Sequence, residues 1–320
     1  MPWQIGIDEA GYGPNLGPLV MTLVACQVPD ELHDTNLWDV LKFTVRRADD
    51  APDHRLIVAD SKLVYSPANG WGELEKTALC AHAGGFFDHA PTLADLLQHL
   101  ASDELPALRQ EAWFVGDTSL PTEVSFDDLA ATIESWRKTS RDAGVRWGWC
   151  QCAIVPAPRF NDLIDKWDSK GAVLGIALTQ LMQRCLEKTN AAPMRFVVDK
   201  HGGRNTYSAL LQHAFPEGFV WAEEEGPQRS IYRVVGLDRP VRIMFMPKAD
   251  VSHFTVALAS MISKYVRELL MREFNRFWQA HVPGLKPTAG YPLDADRYFD
   301  AIRPAMAKLG IAERLVWRSR

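Results

Sequence analysis

Residues 6–18 read GIDEAGYGPNLGP. The short apolar stretch before them, from Trp3, ends in two adjacent acids, Asp8 and Glu9. These run straight into a turn built from Gly11, Gly13, Gly17, Pro14 and Pro18. Side chains alternate between the two faces of a strand, so neighbours in sequence point apart. Asp8 and Glu9 therefore share one site only if the strand breaks between them, and Ala10-Gly11-Tyr12-Gly13-Pro14 is the expected break. Residues 3–8 read as one strand and 17–28, GPLVMTLVACQV, as a second that is mostly buried.

Two further runs end in acids: Val198-Asp199 and Lys248-Ala249-Asp250. Ligands of α/β sheets gather where strands give way to loops, so acids at such ends can converge. Clustered carboxylates repel unless a cation holds them, and hard oxygen donors suit Mg²⁺ or Mn²⁺. An acid at a loop is also an ordinary cap or turn residue, and Asp250 competes with Ser252 to open the helix that follows. A dinucleotide turn is the other reading of the glycines, but their spacing departs from G-x-G-x-x-G. Asp8 and Glu9 would also repel a pyrophosphate there.

The chain has 320 residues, 47% apolar and 23% charged, as a globular protein with room for a sizeable core has. Its start lacks the basic and apolar regions of a secretory leader, and no apolar run is long enough to span a bilayer. Five cysteines without framework spacing point to a reducing compartment, hence a cytoplasmic protein. Cys150 and Cys152, one residue apart in a strand-like run, are expected on one face as buried thiols. Net charge is −5. Residues 241–320 hold about 13 Lys/Arg against about 7 Asp/Glu, whereas 84–145 hold about 4 against about 11. A basic third suits a phosphate backbone, while the acidic segment does not.

Strand-like and helical runs mix throughout, which gives an α/β class with a mixed sheet. Strands are expected at 145–156, 194–199 and in three runs between 218 and 250. Helices are expected at 71–82, 93–101, 126–138, the second half of 160–188, 206–214 and 252–278. The last of these carries Lys264, Arg267, Arg272 and Arg276 within about half its circumference, which suits a face that tracks phosphates. Residues 84–145 read as an inserted subdomain or lid; Trp113, Trp136, Trp147 and Trp149 in or beside it suit a core better than a base-stacking platform. Glu224 in AEEE (222–225) reads as a charged strand end, with a fifth metal-proximal acid as the other option.

Five stretches in order, GIDEAGYGPNLGPLV, ADSKLV, FVVDKHGG, KADVSHFTVALASMISKYVRE and AGYP, resemble the signatures of type 2 ribonuclease H, ribonuclease HII. The resemblance covers about 3–83 and 145–295. It implies a ribonuclease H-like fold, a mixed central sheet flanked by helices, in 1–83 and 146–320, with 84–145 as an insertion. It further implies that Asp8, Glu9, Asp199 and Asp250 bind two divalent ions, Mg²⁺ or Mn²⁺. The activity implied is cleavage of RNA in RNA–DNA hybrids, or 5′ of ribonucleotides embedded in DNA, leaving 5′-phosphate and 3′-hydroxyl ends. Gly11, Tyr12 and Gly13 match the backbone that grips a ribose 2′-hydroxyl, and Tyr291 the tyrosine that packs on the sugar. Ser61, Lys62, Ser260 and Lys264 match positions that touch the nucleic-acid backbone. The family also suggests a monomer.

Two positions depart from the family. Tyr12 stands where a basic residue is usual, and Arg204, after Gly202-Gly203, is the candidate to replace its charge. Asp199 is followed by Lys200-His201 rather than the glycine often seen, and His201 reads as an exposed loop residue or a phosphate contact. A nuclease for another nucleic-acid structure and a binding protein without turnover are the rival functions.

Overall fold

The structure, a computed structural model, describes residues 1–65, 70–87 and 89–319. Strands β1 (Trp3–Ala10), β2 (Leu19–Gln27), β3 (Arg146–Val155), β4 (Met194–Asp199), β5 (Phe219–Glu225), β6 (Ser230–Val235) and β7 (Val241–Met246) form one sheet. Its spatial order is β3-β2-β1-β4-β7-β6-β5. β1 is antiparallel to β2 and parallel to β4, β4 is parallel to β7, and the two outer pairs are antiparallel. The mixed α/β sheet flanked by helices is therefore as expected. β2 lies between two strands and is covered on both faces, which is why LVMTLVACQ is apolar along nearly its whole length.

One face of β1, with Ile5 and Ile7, packs on helices α1 (Ala157–Trp167) and α2 (Lys170–Lys188). These helices are separate, because the chain turns at Asp168 with φ of 47°. The other face receives the 28-residue helix α3 (Phe254–His281). Gly6 explains the close approach: a Cβ there would lie 2.2 Å from the Thr255 carbonyl carbon and 2.3 Å from the Val256 nitrogen. The helix backbone rests on the strand where a side chain would otherwise stand.

The segment 84–145 shares this core. Leu93, Leu96, Leu97, Leu100, Leu129 and Trp136 are buried in the same cluster as Val20, Val24 and Leu258. Trp113 is buried against Phe274 and Trp278 of α3, and Trp147 packs half-buried beside Trp136. Two buried glutamates bind the loops of the segment. Glu75 accepts from the backbone of Thr122, Glu123 and Val124 and from the Tyr265 hydroxyl. Glu273 accepts from Val115 N at 2.8 Å, Gly116 N at 3.0 Å and Thr118 Oγ1 at 3.2 Å. Glu273→Ala strands these donors, so we expect it to cost about 2–4 kcal/mol of stability. Urea unfolding reads this directly, and a loss under about 1 kcal/mol would contradict the anchoring role.

All five cysteines are free and buried. Cys150 and Cys152 lie in one cluster with Ile154, on the expected single face; burial raises both thiols, Cys152 to about 12. Among the described residues no helix is long and apolar enough to cross a membrane.

Candidate active site

β1 and β4 run side by side as far as Ile7 opposite Val198, and the next residue of each is an acid, Asp8 and Asp199. Asp250 lies in the one-turn helix Ala249–Ser252 that follows β7. The ends of β4 and of that turn are tied, since the Asp199 carboxylate accepts from Ala249 N at 2.9 Å. Asp8 is 7% exposed and shares the parity of Gly6, so it faces α3. There Ser263 donates to its backbone carbonyl at 3.0 Å, while its carboxylate accepts from Glu9 N at 2.8 Å.

The expected break between Asp8 and Glu9 is absent. β1 continues to Ala10, which still pairs with Val20. What stops is the pairing to β4, at Ile7; beyond that point β1 still pairs with β2, and β2 with β3. Glu9, although on the opposite parity, still feels Asp199 and Asp250.

Burial raises all four acids, and Asp199 adds to the shift of each of the other three. Burial pushes Asp8 well above the usual carboxylate range, and Glu9 and Asp199 add to it against a hydrogen bond from Ser260. Glu9 is pushed up to about 7 by burial and then by Asp199. Asp250 rises to about 6 through burial, Asp60 and Asp199; Asp199 rises through burial against its backbone hydrogen bonds. Among the described residues no three His, Cys, Asp or Glu side chains stand close enough to hold a metal ion as placed. The chemistry of the donors nonetheless fits a hard divalent cation, because all are oxygens and their repulsion is what such a charge relieves.

A pH dependence follows for the metal-free protein. Glu9 folded holds its proton to about pH 7, while an unfolded glutamate releases it near 4.3. The stability present below the unfolded value is lost as pH rises through the folded one, roughly 3 kcal/mol for Glu9 alone between about pH 4.5 and 7. Melts in EDTA should fall across that window, and excess Mn²⁺ should restore most of the loss at pH 7 and above. A flat profile in EDTA would remove the repulsion.

Lys62 faces the cluster. Burial opposes its charge, but Asp60, Asp8, Asp250 and Asp199 together hold its pKa above the ordinary value. Asp60 caps its short helix by accepting from Lys62 N, and also raises Asp250. Sequence reading missed Asp60 as a member of the site, although the cap position before Ser61-Lys62 was a signal for it. Ser61 and Ser260 are buried, with their hydroxyls 3.2 Å apart. Their expected place on a nucleic-acid backbone is thus taken by a contact to each other, beside Asp8.

The glycine turn is gripped by two arginines. Gly11 has φ of 89°, and a Cβ there would meet Arg267 Nε at 2.4 Å and the Pro18 oxygen at 2.6 Å. Arg267, 0% exposed, donates to the carbonyls of Pro18, Leu16 and Ala289. Arg318, 1% exposed, donates to Gly11 O at 2.6 Å and Tyr12 O at 3.1 Å. Nothing in the motifs pointed to Arg318, since it lies 307 positions from Gly11. Gly13 faces open space. Tyr12 is half-buried against the β1 core face; burial and Glu9 raise its phenol, while Arg204 and Arg318 oppose this.

The remaining candidates divide. Tyr291 is 46% exposed, with the Arg267 guanidinium 5.9 Å from its ring. Lys264 pairs with Glu268 at 2.5 Å and lies over the Tyr65 ring. The expected phosphate-tracking face of α3 is largely spoken for: Arg267 is buried, Arg272 faces Glu123 at 3.6 Å, and Arg276 meets Asp117 at 2.7 Å. Acids of the 84–145 segment thus pair with Arg272 and Arg276, which stay about half exposed. His201 is buried rather than exposed, with burial lowering it to about 3, and it packs near Tyr207 and Phe245. Glu224 pairs with Arg229 at 2.7 Å on the β5–β6 hairpin.

No family model matches the chain, and no curated protein matches it. Solved structures do. The chain is similar to ribonucleases of the HII and HIII types. Against ribonuclease HII of Archaeoglobus fulgidus, solved in a complex with PCNA, identity is 16% and the TM-score 0.42, over 99% of this chain and 94% of that one. Against ribonuclease H2 of Pyrococcus horikoshii OT3 the values are 13% and 0.44, over 98% and 92%. Bst ribonuclease HIII in complex with Mn²⁺ gives 12% and 0.41, over 99% of this chain and 65% of that one, so this chain spans under two thirds of it. These likenesses are distant, and the chemistry rests on the carboxylates and the turn.

Proposed function

We propose that this protein is a divalent-metal-dependent endoribonuclease that cuts RNA in RNA–DNA hybrids or 5′ of ribonucleotides embedded in duplex DNA. The observation that supports it most is that burial raises Asp8, Glu9, Asp199 and Asp250 alike, with Asp199 adding to the shift of each of the other three. A buried set of like charges destabilises the fold and calls for a chemical reason. Held by these four acids, two Mg²⁺ or Mn²⁺ ions would supply charge stabilisation at a phosphodiester and a more acidic water.

The chain's own groups account for the rest of the reading. Gly13 leaves room for a sugar to approach the backbone, and a 2′-hydroxyl, donor and acceptor at once, is what distinguishes ribose. Tyr291 offers an exposed ring for that sugar. Lys62 places a cation against the acids, where it balances part of their charge and can meet a non-bridging phosphate oxygen. The products would carry 5′-phosphate and 3′-hydroxyl ends. Five free, buried thiols support a reducing, cytoplasmic setting.

A nuclease for a differently shaped nucleic acid is the second reading, and the pairing of Arg272 and Arg276 with Glu123 and Asp117 favours it. Both are decided by incubating the protein with Mg²⁺ or Mn²⁺ and two labelled duplexes, one DNA with a single ribonucleotide and one RNA–DNA hybrid. Cleavage 5′ of the ribonucleotide supports the first reading in full, and cleavage of the hybrid alone restricts it. No cleavage of either overturns it.

A further inference from the structure

The carbonyls of Gly11 and Tyr12 in the glycine turn are committed. Arg318 takes Gly11 O and Tyr12 O and reaches Gly17 O at 3.4 Å. Among the described residues the N–H groups of Gly11, Tyr12 and Gly13 donate to no protein acceptor. At Gly11 and Tyr12 the turn therefore has its N–H groups left to offer a ligand. Successive N–H groups around a left-handed residue form the kind of concavity that receives an electron-rich oxygen.

Arg318 is held through its backbone and both terminal nitrogens, while its buried Nε has no partner among the described residues. Its N–H donates to Asn15 O at 2.8 Å, and Leu16 bridges to Trp317. Asn161 accepts from Ser319 N at 2.7 Å and donates to the carbonyls of Arg314 and Trp317. The guanidinium lies 4.0 Å from the Phe160 ring centroid. Among the described residues it has no carboxylate in ion-pair range, so its charge is balanced by peptide oxygens and not by an acid. A polyanion approaching four carboxylates needs positive potential nearby, and Tyr12 contributes none. A buried guanidinium behind the turn does, at little loss to screening.

We infer that Arg318 is a positioning residue for ribose recognition, fixing the carbonyls of Gly11 and Tyr12 inward so that the adjoining amides and a positive potential face the substrate sugar. This rests on the proposed endoribonuclease reading. It assigns to the segment 311–319 a part in substrate choice, with no group of its own touching the substrate.

The test compares wild type, Arg318→Ala and Arg318→Lys, each checked for folding by circular dichroism at the assay temperature. Binding in Ca²⁺ is measured to a DNA duplex with one ribonucleotide and to the all-deoxy duplex; cleavage kinetics follow in Mn²⁺. Arg318→Ala should lose the preference for the ribonucleotide duplex by about tenfold, the value of one well-made hydrogen bond. Its Tm rise with Mn²⁺ should persist, because the four acids are untouched. Arg318→Lys, with charge but no fork, should fall between. A purely structural role would lower Tm and leave the preference at the wild-type ratio, which would overturn the inference. Should Arg318→Ala fail to fold, the lysine variant and Asn161→Ala, which loosens the segment from beneath, decide by the same ratio. Wild type that cleaves neither substrate overturns the endoribonuclease reading first and this inference with it.

Discussion

Asp8→Asn is expected to stop cleavage while making the metal-free protein more stable. Asparagine keeps the shape and an acceptor for Glu9 N, so the local strand geometry survives. It removes a charge that burial, Glu9 and Asp199 all disfavour. In EDTA near neutral pH the variant should therefore melt above wild type, by the few degrees that about 1–2 kcal/mol gives. With Mn²⁺ the order should reverse, because wild type gains ion-binding free energy that the variant has largely lost. Cleavage should fall on the order of 10³-fold, the scale seen when a group that stabilises transition-state charge is removed. Asp250→Asn should act the same way. Wild-type cleavage by either variant would dismiss the acid cluster as the active site; a Tm below wild type in EDTA would mean that the carboxylates are structural ligands of something else.

The second large effect concerns a residue with no side chain. Gly6→Ala would place a methyl carbon 2.2 Å from the carbonyl carbon of Thr255, 2.3 Å from Val256 N and 2.5 Å from Thr255 O. All three are backbone atoms of the first turn of α3, so no rotamer change relieves the clash. Either the helix lifts from β1 or the strand bows. Overpacking of this kind usually costs about 1–3 kcal/mol, and a backbone-on-backbone clash belongs at or beyond the upper end. Asp250 lies just before that helix and Asp8 just after Gly6, so the same displacement separates two of the four acids. We expect loss of at least about 3 kcal/mol in urea unfolding and, in whatever fraction stays folded, loss of the Mn²⁺-induced rise in Tm. An alanine variant with wild-type stability would show that the helix seats elsewhere.

Much of this architecture is legible in the sequence because alternation and periodicity report burial. LVMTLVACQ reads as a buried strand since both of its faces are covered, and the α3 pattern reads as a helix since one side of it is apolar. The acids at strand ends are visible for the same local reason. What the sequence hides is who meets whom. Asp60 looks like a cap and is one, yet its charge also reaches Asp250. Arg272 and Arg276 look like a solvent-facing basic stripe, but Glu123 and Asp117 come from a segment about 150 residues away. The glycines suggest a break between Asp8 and Glu9, yet β1 runs on to Ala10 and only its pairing to β4 ends, at Ile7. His201, polar and flanked by glycines, gives no local sign of the Tyr207 and Phe245 rings around it.

The bond between Asn15 and Arg318 joins positions 303 apart. β1, the strand that carries Asp8 and Glu9, likewise has one neighbour close in sequence and the other beyond residue 190. Such contacts carry a large loop-closure entropy and form late. During synthesis the β1–β2 hairpin precedes β4 and β7, so Asp8 and Glu9 are made before Asp199 and Asp250 exist. The clustering of like charges is thus deferred until β4 and β7 have been made and the sheet contacts that oppose the repulsion can form.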